Sequence, residues 1–169
     1  VGTSTTPGAF TEGAIKEMAK HVERPAIFPI SNLTKLIEAQ AADVIKWTDG
    51  KALVCTGIPS DDVEYNGVTY QIGQGNNALM YPGLGLGIIA AEAKIVTQNM
   101  LSAAARAVGD LVNPQVEGAA ILPPVAEMRK VSKIVAEAVV NQAVEDGVNQ
   151  NEIASIEEEV SRLIWEPGY

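Results

Sequence analysis

Two five-residue runs, Ala26-Ile27-Phe28-Pro29-Ile30 and Ala52-Leu53-Val54-Cys55-Thr56, each follow a stretch of helical periodicity and each lead into Ser, Asn or Gly. Short apolar runs bounded in this way read as strands buried on both faces, the kind that parallel sheets contain. Thr11 can N-cap a first helix that has Glu12 near its positive end and runs through Ile15, Met18 and Ala19; Arg24-Pro25 stops it. A second helix covers about Glu38 to Trp47, with Ile37, Ala41, Val44 and Ile45 on one face, and Asp49-Gly50 ends it. The chain opens on Val1-Gly2-Thr3-Ser4-Thr5, which reads as the end of another buried strand emerging into a loop. Without an initiator Met or a run-in, this start reads as that of a fragment whose N-terminal part lies on another piece of chain. Strand, helix, strand, helix, strand at these intervals is the signature of an α/β fold with a doubly wound parallel sheet. Three parallel strands near 1–4, 26–30 and 52–56 are therefore expected side by side.

Beyond them, Val63-Glu64-Tyr65 and Val68-Thr69-Tyr70 flank Asn66-Gly67, a strong hairpin signal. The rest reads as a helical region, with helices over about Asn77 to Thr97, Gln98 to Gly109, Val125 to Asp146 and Glu152 to Leu163. Val131, Ile134, Val135, Ala138 and Val139 follow the i, i+3, i+4 rule, and Pro114 and Pro123-Pro124 punctuate the joins. Gly83-Leu84-Gly85-Leu86-Gly87 is no dinucleotide fingerprint, because Tyr81-Pro82 rather than a strand precedes it. Close helix packing through small residues explains those glycines better.

Composition excludes several classes of function. At 169 residues and 47% hydrophobic the chain can bury one core. Its net charge is −9 and no Lys/Arg cluster stands out, which argues against nucleic-acid binding. Five of the 21 acidic residues fall in the last 19 positions, a pattern that reads as a solvated helix face. Cys55, the single cysteine, lies in an apolar run without a flanking base and reads as a core thiol. His21, the single histidine, follows Lys20 at a helix end, where a cation suits the dipole. Asp61-Asp62, with only Glu64 nearby, reads as a turn pair rather than a metal site. The longest apolar run is broken by glycines and falls short of the roughly 18 residues of a membrane span. No signal peptide is read at the start. The expectation is a soluble, cytoplasmic protein with no membrane partner.

Function is sought where polar residues meet strand ends, since ligands of open parallel sheets bind outside the carboxyl ends of the strands. The first strand ends in Thr3-Ser4-Thr5, the second in Ser31-Asn32 and the third in Thr56-Gly57. Each end offers short hydrogen-bonding side chains and no charge, which suits a ligand that brings its own, such as a nucleotide or a small acid. Turn formation by Ser, Thr and Asn is the plainer alternative at any one end. Gly73-Gln74-Gly75-Asn76-Asn77 then places two adjacent amides after a glycine turn and before a long apolar stretch, at an expected helix N-terminus that favours an anion.

Several of these segments resemble the malic enzyme and malolactic enzyme family. Thr3-Ser4-Thr5-Thr6-Pro7-Gly8-Ala9-Phe10-Thr11-Glu12 is similar to the loop and helix start that follow a strand of its dinucleotide domain. Glu23-Arg24-Pro25 through Asn32 resembles its Arg-Pro-(apolar)-Phe-(x)-(x)-Ser-Asn-Pro segment. Trp47-Thr48-Asp49-Gly50, Gly73-Gln74-Gly75-Asn76-Asn77 and Tyr81-Pro82-Gly83-Leu84-Gly85-Leu86-Gly87 follow in order, so the likeness covers roughly 1–146. Pro29-Ile30-Ser31-Asn32, Gly57-Ile58-Pro59, Asn77-Ala78-Leu79 and Ile164-Trp165-Glu166-Pro167 look more like malolactic enzyme than a malic enzyme that releases reduced cofactor.

The resemblance implies a Rossmann-like fold in which residues 1–75 form the C-terminal part of an NAD-binding domain. Residues 76–169 would then be helices completing it, with a docking tail. It implies an enzyme acting on (S)-malate with NAD and Mn²⁺ or Mg²⁺, by hydride transfer from the 2-hydroxyl and then decarboxylation with the metal as electron sink. Malolactic enzymes return the hydride and release (S)-lactate and CO₂; oxidative malic enzymes release pyruvate. It implies a homo-oligomer for the complete enzyme. Asn32 and Asn76 match the family asparagines that contact malate and the nicotinamide end of the cofactor, and Thr3 and Ser4 match its cofactor-side loop. The family's tyrosine acid, lysine base, acidic metal ligands and glycine-rich loop lie upstream, so no catalytic residue and no metal ligand is expected in this chain, and the chain by itself is expected to be inactive. Leu33 stands where the family has proline, which would loosen the restraint on Asn32. A non-catalytic α/β association domain is the reading from a different class.

Overall fold

A computed structural model describes residues 1–165 and 168 and divides the chain into two compact units. The first comprises Val1–Asn76 and Val112–Pro124, the second Asn77–Leu111 and Val125–Tyr169.

The first unit is built on a parallel sheet. Strands β1 (Ala26–Ile27), β2 (Leu53–Thr56) and β5 (Gly73–Gln74) lie in the order β1-β2-β5, both pairings parallel. Gly2 adds a fourth rung beside β1 through a parallel bridge to Pro29, with Gly2 N–H donating to Phe28 O at 2.7 Å and Ile30 N–H to Gly2 O at 3.0 Å. The three strands expected from sequence are thus parallel and adjacent, the first reduced to a single bridge. Helix α1 (Glu12–His21) is capped by Thr11, whose hydroxyl accepts from Ala14 N–H, as its position implied. Helix α2 (Ala41–Trp47) ends in Asp49 and Gly50, both at positive φ. Ile15, Ile27, Val44, Ile45 and Val54 form the centre of one core. The antiparallel hairpin of β3 (Val63–Tyr65) and β4 (Val68–Tyr70) turns at Asn66 and Gly67, whose φ values of 51° and 80° are those of a type I′ turn.

The second unit is helical: α3 (Tyr81–Ala90), α4 (Gln98–Gly109), α5 (Met128–Glu145) and α6 (Ile156–Leu163). Helices α3 and α4 both pack on α5, and the glycines of α3 show how closely. A Cβ on Gly83 would stand 2.6 Å from both Ser132 O and Val135 Cβ, and one on Gly87 2.7 Å from Ala136 O and Val139 Cβ; Gly85 faces open space. Small-residue packing, as expected, accounts for Gly83 and Gly87 but not for Gly85. On α6, Glu157 and Glu158 are exposed and Val160 alone is buried, the solvated acidic face read from sequence. No helix among the described residues is long and apolar enough to cross a membrane.

Several expectations differ from the structure. The helix expected over 77–97 is a 3₁₀ turn at Asn77–Leu79 followed by α3, which stops at Ala90 because residues 148–151 claim its end. Lys94 N–H donates to Val148 O, Gln150 N–H to Ala91 O, and the Asn151 amide to Ala90 O. Glu92 takes φ 46° there. The last helix begins at Ile156 rather than Glu152, because Ser155 caps it by accepting from Glu158 N–H. Of the apolar residues of α1, Ile15 is buried whereas Met18 is 47% exposed; with Ile15, Ile27 and Val1 it lines a hollow of about 50 Å³. Glu38, expected to begin α2, lies in the loop before it and is fully buried.

Candidate functional site

Because Gly2, β1, β2 and β5 all run the same way, their carboxyl ends open on one edge. That edge carries Thr3-Ser4-Thr5, Ser31-Asn32, Thr56-Gly57 and Gly75-Asn76. The contribution of β5 is decisive. It pairs Cys55 with Gly73 and Thr56 with Gln74, and Gly75 N–H then donates to Thr56 O at 2.8 Å. Asn76 is thereby brought to the same edge as Asn32. Asn76 directly precedes the 3₁₀ turn Asn77–Leu79 and not the α-helix expected there: its own N–H donates to Gln74 O at 3.0 Å, and α3 begins at Tyr81 with Met80 as its cap residue. The strand end, not a helix dipole, presents this asparagine.

Thr3, Asn32 and Asn76 are exposed at the edge. Ser4 is exposed as a residue, yet its polar atoms are engaged: its hydroxyl donates to Glu38 Oε1 at 3.1 Å and accepts from Thr6 N–H at 3.2 Å. Ser31, one residue before Asn32, is 4% exposed and donates its hydroxyl to the same Oε1 at 2.5 Å. Ser4 N–H reaches Oε1 at 2.7 Å and Ser31 N–H reaches Oε2 at 3.3 Å. Burial pushes the Glu38 carboxyl up, but the Ser31 hydroxyl and the surrounding backbone N–H groups outweigh it and hold the group down at about 2. Glu38 is the residue that sequence reasoning missed. Its signal was a lone carboxylate inside Leu36-Ile37-Glu38-Ala39, since a charge in an apolar run must find partners if it is buried.

Glycines bring backbone to the edge. A Cβ on Gly57 would run into the Ile30 carbonyl, and one on Gly75 would stand 3.0 Å from Cys55 Sγ. Cys55 is buried, and burial pushes its thiol up to about 11, which fits a core thiol and no nucleophile. The donors at the edge are neutral amides, hydroxyls and backbone N–H groups, a set that fits the polar, anionic groups of a dinucleotide or a small acid. It does not fit a divalent cation. The carboxylate at this edge, Glu38, has its oxygens occupied by serine donors, and no group of three His, Cys, Asp or Glu among the described residues could hold a metal. A separate cavity of about 330 Å³, lined by Arg24, Lys51, Tyr70 and Glu117 among others, lies at the amino ends of β1 and β2, where parallel sheets do not place their ligands.

The family model described as "Malic enzyme, NAD binding domain" matches residues 1–144. The malolactic enzyme of Lactiplantibacillus plantarum is 58% identical over all 169 residues, and NAD-dependent malic enzyme 3 of Bacillus subtilis is 52% identical over the same span. The chain covers 31% of the first and 30% of the second, so it spans about a third of the length of these relatives. The crystal structure of malic enzyme from Pyrococcus horikoshii superposes with a TM-score of 0.72 at 26% identity, over 93% of this chain and 32% of that one. Of the residues that carried the resemblance, Glu166 and Pro167 lie outside the described residues. The parallel sheet, its neutral polar edge and the matched span agree: the chain belongs to the family of malic enzyme NAD-binding domains.

Proposed function

We propose that this chain is a segment of a malolactic enzyme, which converts (S)-malate to (S)-lactate and CO₂ with NAD bound. The observation that carries the reading is the shared carboxyl edge, where parallel addition of β5 delivers Asn76 to the side of the sheet that also bears Asn32, Thr3 and Ser4. Bound NAD supplies hydride acceptance and return. The chain's own part is to bind and orient. The amides of Asn32 and Asn76 donate to a malate carboxylate and accept from its hydroxyl or from a carboxamide. Thr3 and the main chain around Ser4 face the cofactor. Residues 1–75 serve as part of the dinucleotide half, and the helices within 76–169 complete the domain, Val112–Pro124 belonging with the first unit. No side chain at the edge is a plausible acid, base or metal ligand, so the Mn²⁺ or Mg²⁺ ligands and the proton-transfer groups come from outside this chain.

The second reading, an NAD-dependent malic enzyme releasing pyruvate, is favoured by the 52% identity to the Bacillus subtilis protein. Product analysis of the full-length enzyme decides between them. Lactate without accumulation of NADH is expected, while pyruvate with stoichiometric NADH would move the protein to the second reading. The 169-residue chain by itself is expected to release no CO₂ from malate with NAD and Mn²⁺ present; measurable release would refute the assignment of its catalytic groups to another segment.

A further inference from the structure

The loop at Thr3–Thr5 and the turn at Ser31–Asn32 belong to different strands, and a ligand that touches both needs them in one arrangement. Glu38 is the group that joins them. Its carboxylate takes two hydrogen bonds from Ser4, at 2.7 and 3.1 Å, and two from Ser31, at 2.5 and 3.3 Å. Apart from these, Thr5 N–H donating to Ser31 Oγ at 3.0 Å is a direct link between the two segments. The main chain of Glu38 is held from the same side, since Phe10 N–H donates to its carbonyl at 3.1 Å. The chain closes tightly on the carboxylate: a Cβ on Gly2 would stand 2.7 Å from Glu38 Cδ and 2.8 Å from Phe10 Cζ. A fully buried carboxylate is a poor source of net stability, since desolvation offsets most of what its partners return. What a network of four aimed donors provides is geometry. Leu33 is 61% exposed and cannot restrain the backbone of Asn32 as a proline ring would, which leaves the held Ser31 as its local anchor.

We propose that Glu38 is a positioning residue of the ligand edge, acting through Ser4 and Ser31 to hold the Thr3–Thr5 loop and the Ser31–Asn32 turn in the one arrangement that a shared ligand requires. The inference rests on the reading of that edge as the site for NAD and malate.

The test uses the full-length enzyme that carries this chain, with E38Q and S31A made singly and together. NAD affinity is titrated without malate, kcat and KM for malate are measured, and thermal midpoints are recorded so that assays run well below them. E38Q is expected to weaken NAD binding or lower kcat/KM by about tenfold or more, because displaced binding groups cost rate and affinity steeply. The double variant is expected to be within about twofold of E38Q, since both changes cut one network. A lowered midpoint with NAD affinity and kcat/KM both within twofold of the parent would overturn the inference, as would losses that multiply in the double variant. Should E38Q fail to fold, S31A decides: a loss of about threefold or more supports the proposal, and a smaller one overturns it. A parent enzyme that neither binds NAD nor consumes malate would instead remove the underlying reading of the edge, and the inference with it.

Discussion

At the carboxyl edge of the first unit a buried carboxylate gathers donors from two strand ends, whereas in the second unit Gly83 and Gly87 let α3 lie against α5 through van der Waals contact. The two arrangements respond to different perturbations. Hydrogen bonds to Glu38 are directional and depend on its charge, so they fix where atoms stand and weaken when the charge is lost. The helix contact depends on shape alone, so it is indifferent to pH and intolerant of added volume. The first kind of contact lies where short polar side chains gather at strand ends, and the second where two helices pack.

The largest effect should come from removing the carboxylate. Glu38→Ala is expected to lower the stability of the protein by roughly 3 kcal/mol in denaturant unfolding, since at least two backbone N–H groups lose their acceptor at about 1–3 kcal/mol each. The same residue supplies a pH signature. Its folded value of about 2 lies below its ordinary 4.5, so its contribution is complete above about 4.5 and is lost as pH falls through about 2. Melts of parent and E38Q should therefore converge on acidification across that window; a constant gap from neutral pH down to pH 2 would show that the charge is immaterial.

Next in size is the helix contact. Gly87→Ala should destabilise by about 1–2 kcal/mol despite the better helix propensity of alanine, because the added methyl meets the Ala136 carbonyl, which cannot rotate away. An unchanged or raised midpoint would show that α3 and α5 can separate at little cost. Smallest, and of opposite sign, is Gly85→Ala. With open space at that position, propensity alone should raise stability by about 0.5–1 kcal/mol. A loss there would mean that this face of α3 is covered in the protein.

The first unit was legible where its strands are apolar and its turns local. The runs at 26–30 and 52–56, the Thr11 cap and the Asn66-Gly67 turn each carry their own signal within a few residues. The boundaries of α4, Gln98–Gly109, were readable for the same reason, with Thr97 as a side-chain cap at its start. What stayed hidden depends on partners distant in sequence. Gly73-Gln74 has neither the length nor the composition of a strand, and becomes one because β2 offers it a free edge. Glu38 sits beside a helical pattern, and its burial follows from serines 34 and 7 residues away. Asn32 and Asn76 stood out in the sequence as candidates, but the strand that brings both to one edge did not.

The end of α3 is completed by the loop at 148–151, which follows α5, through Lys94, Gln150 and Asn151. Two stretches more than fifty residues apart therefore share their terminal hydrogen bonds, and neither can fray without exposing the other. In hydrogen exchange, the Lys94 and Gln150 amides belong to a single opening event rather than to two independent helix ends. The last turn of α3 thus takes its lifetime from the C-terminal half of the unit, and not from its own glycine-rich sequence.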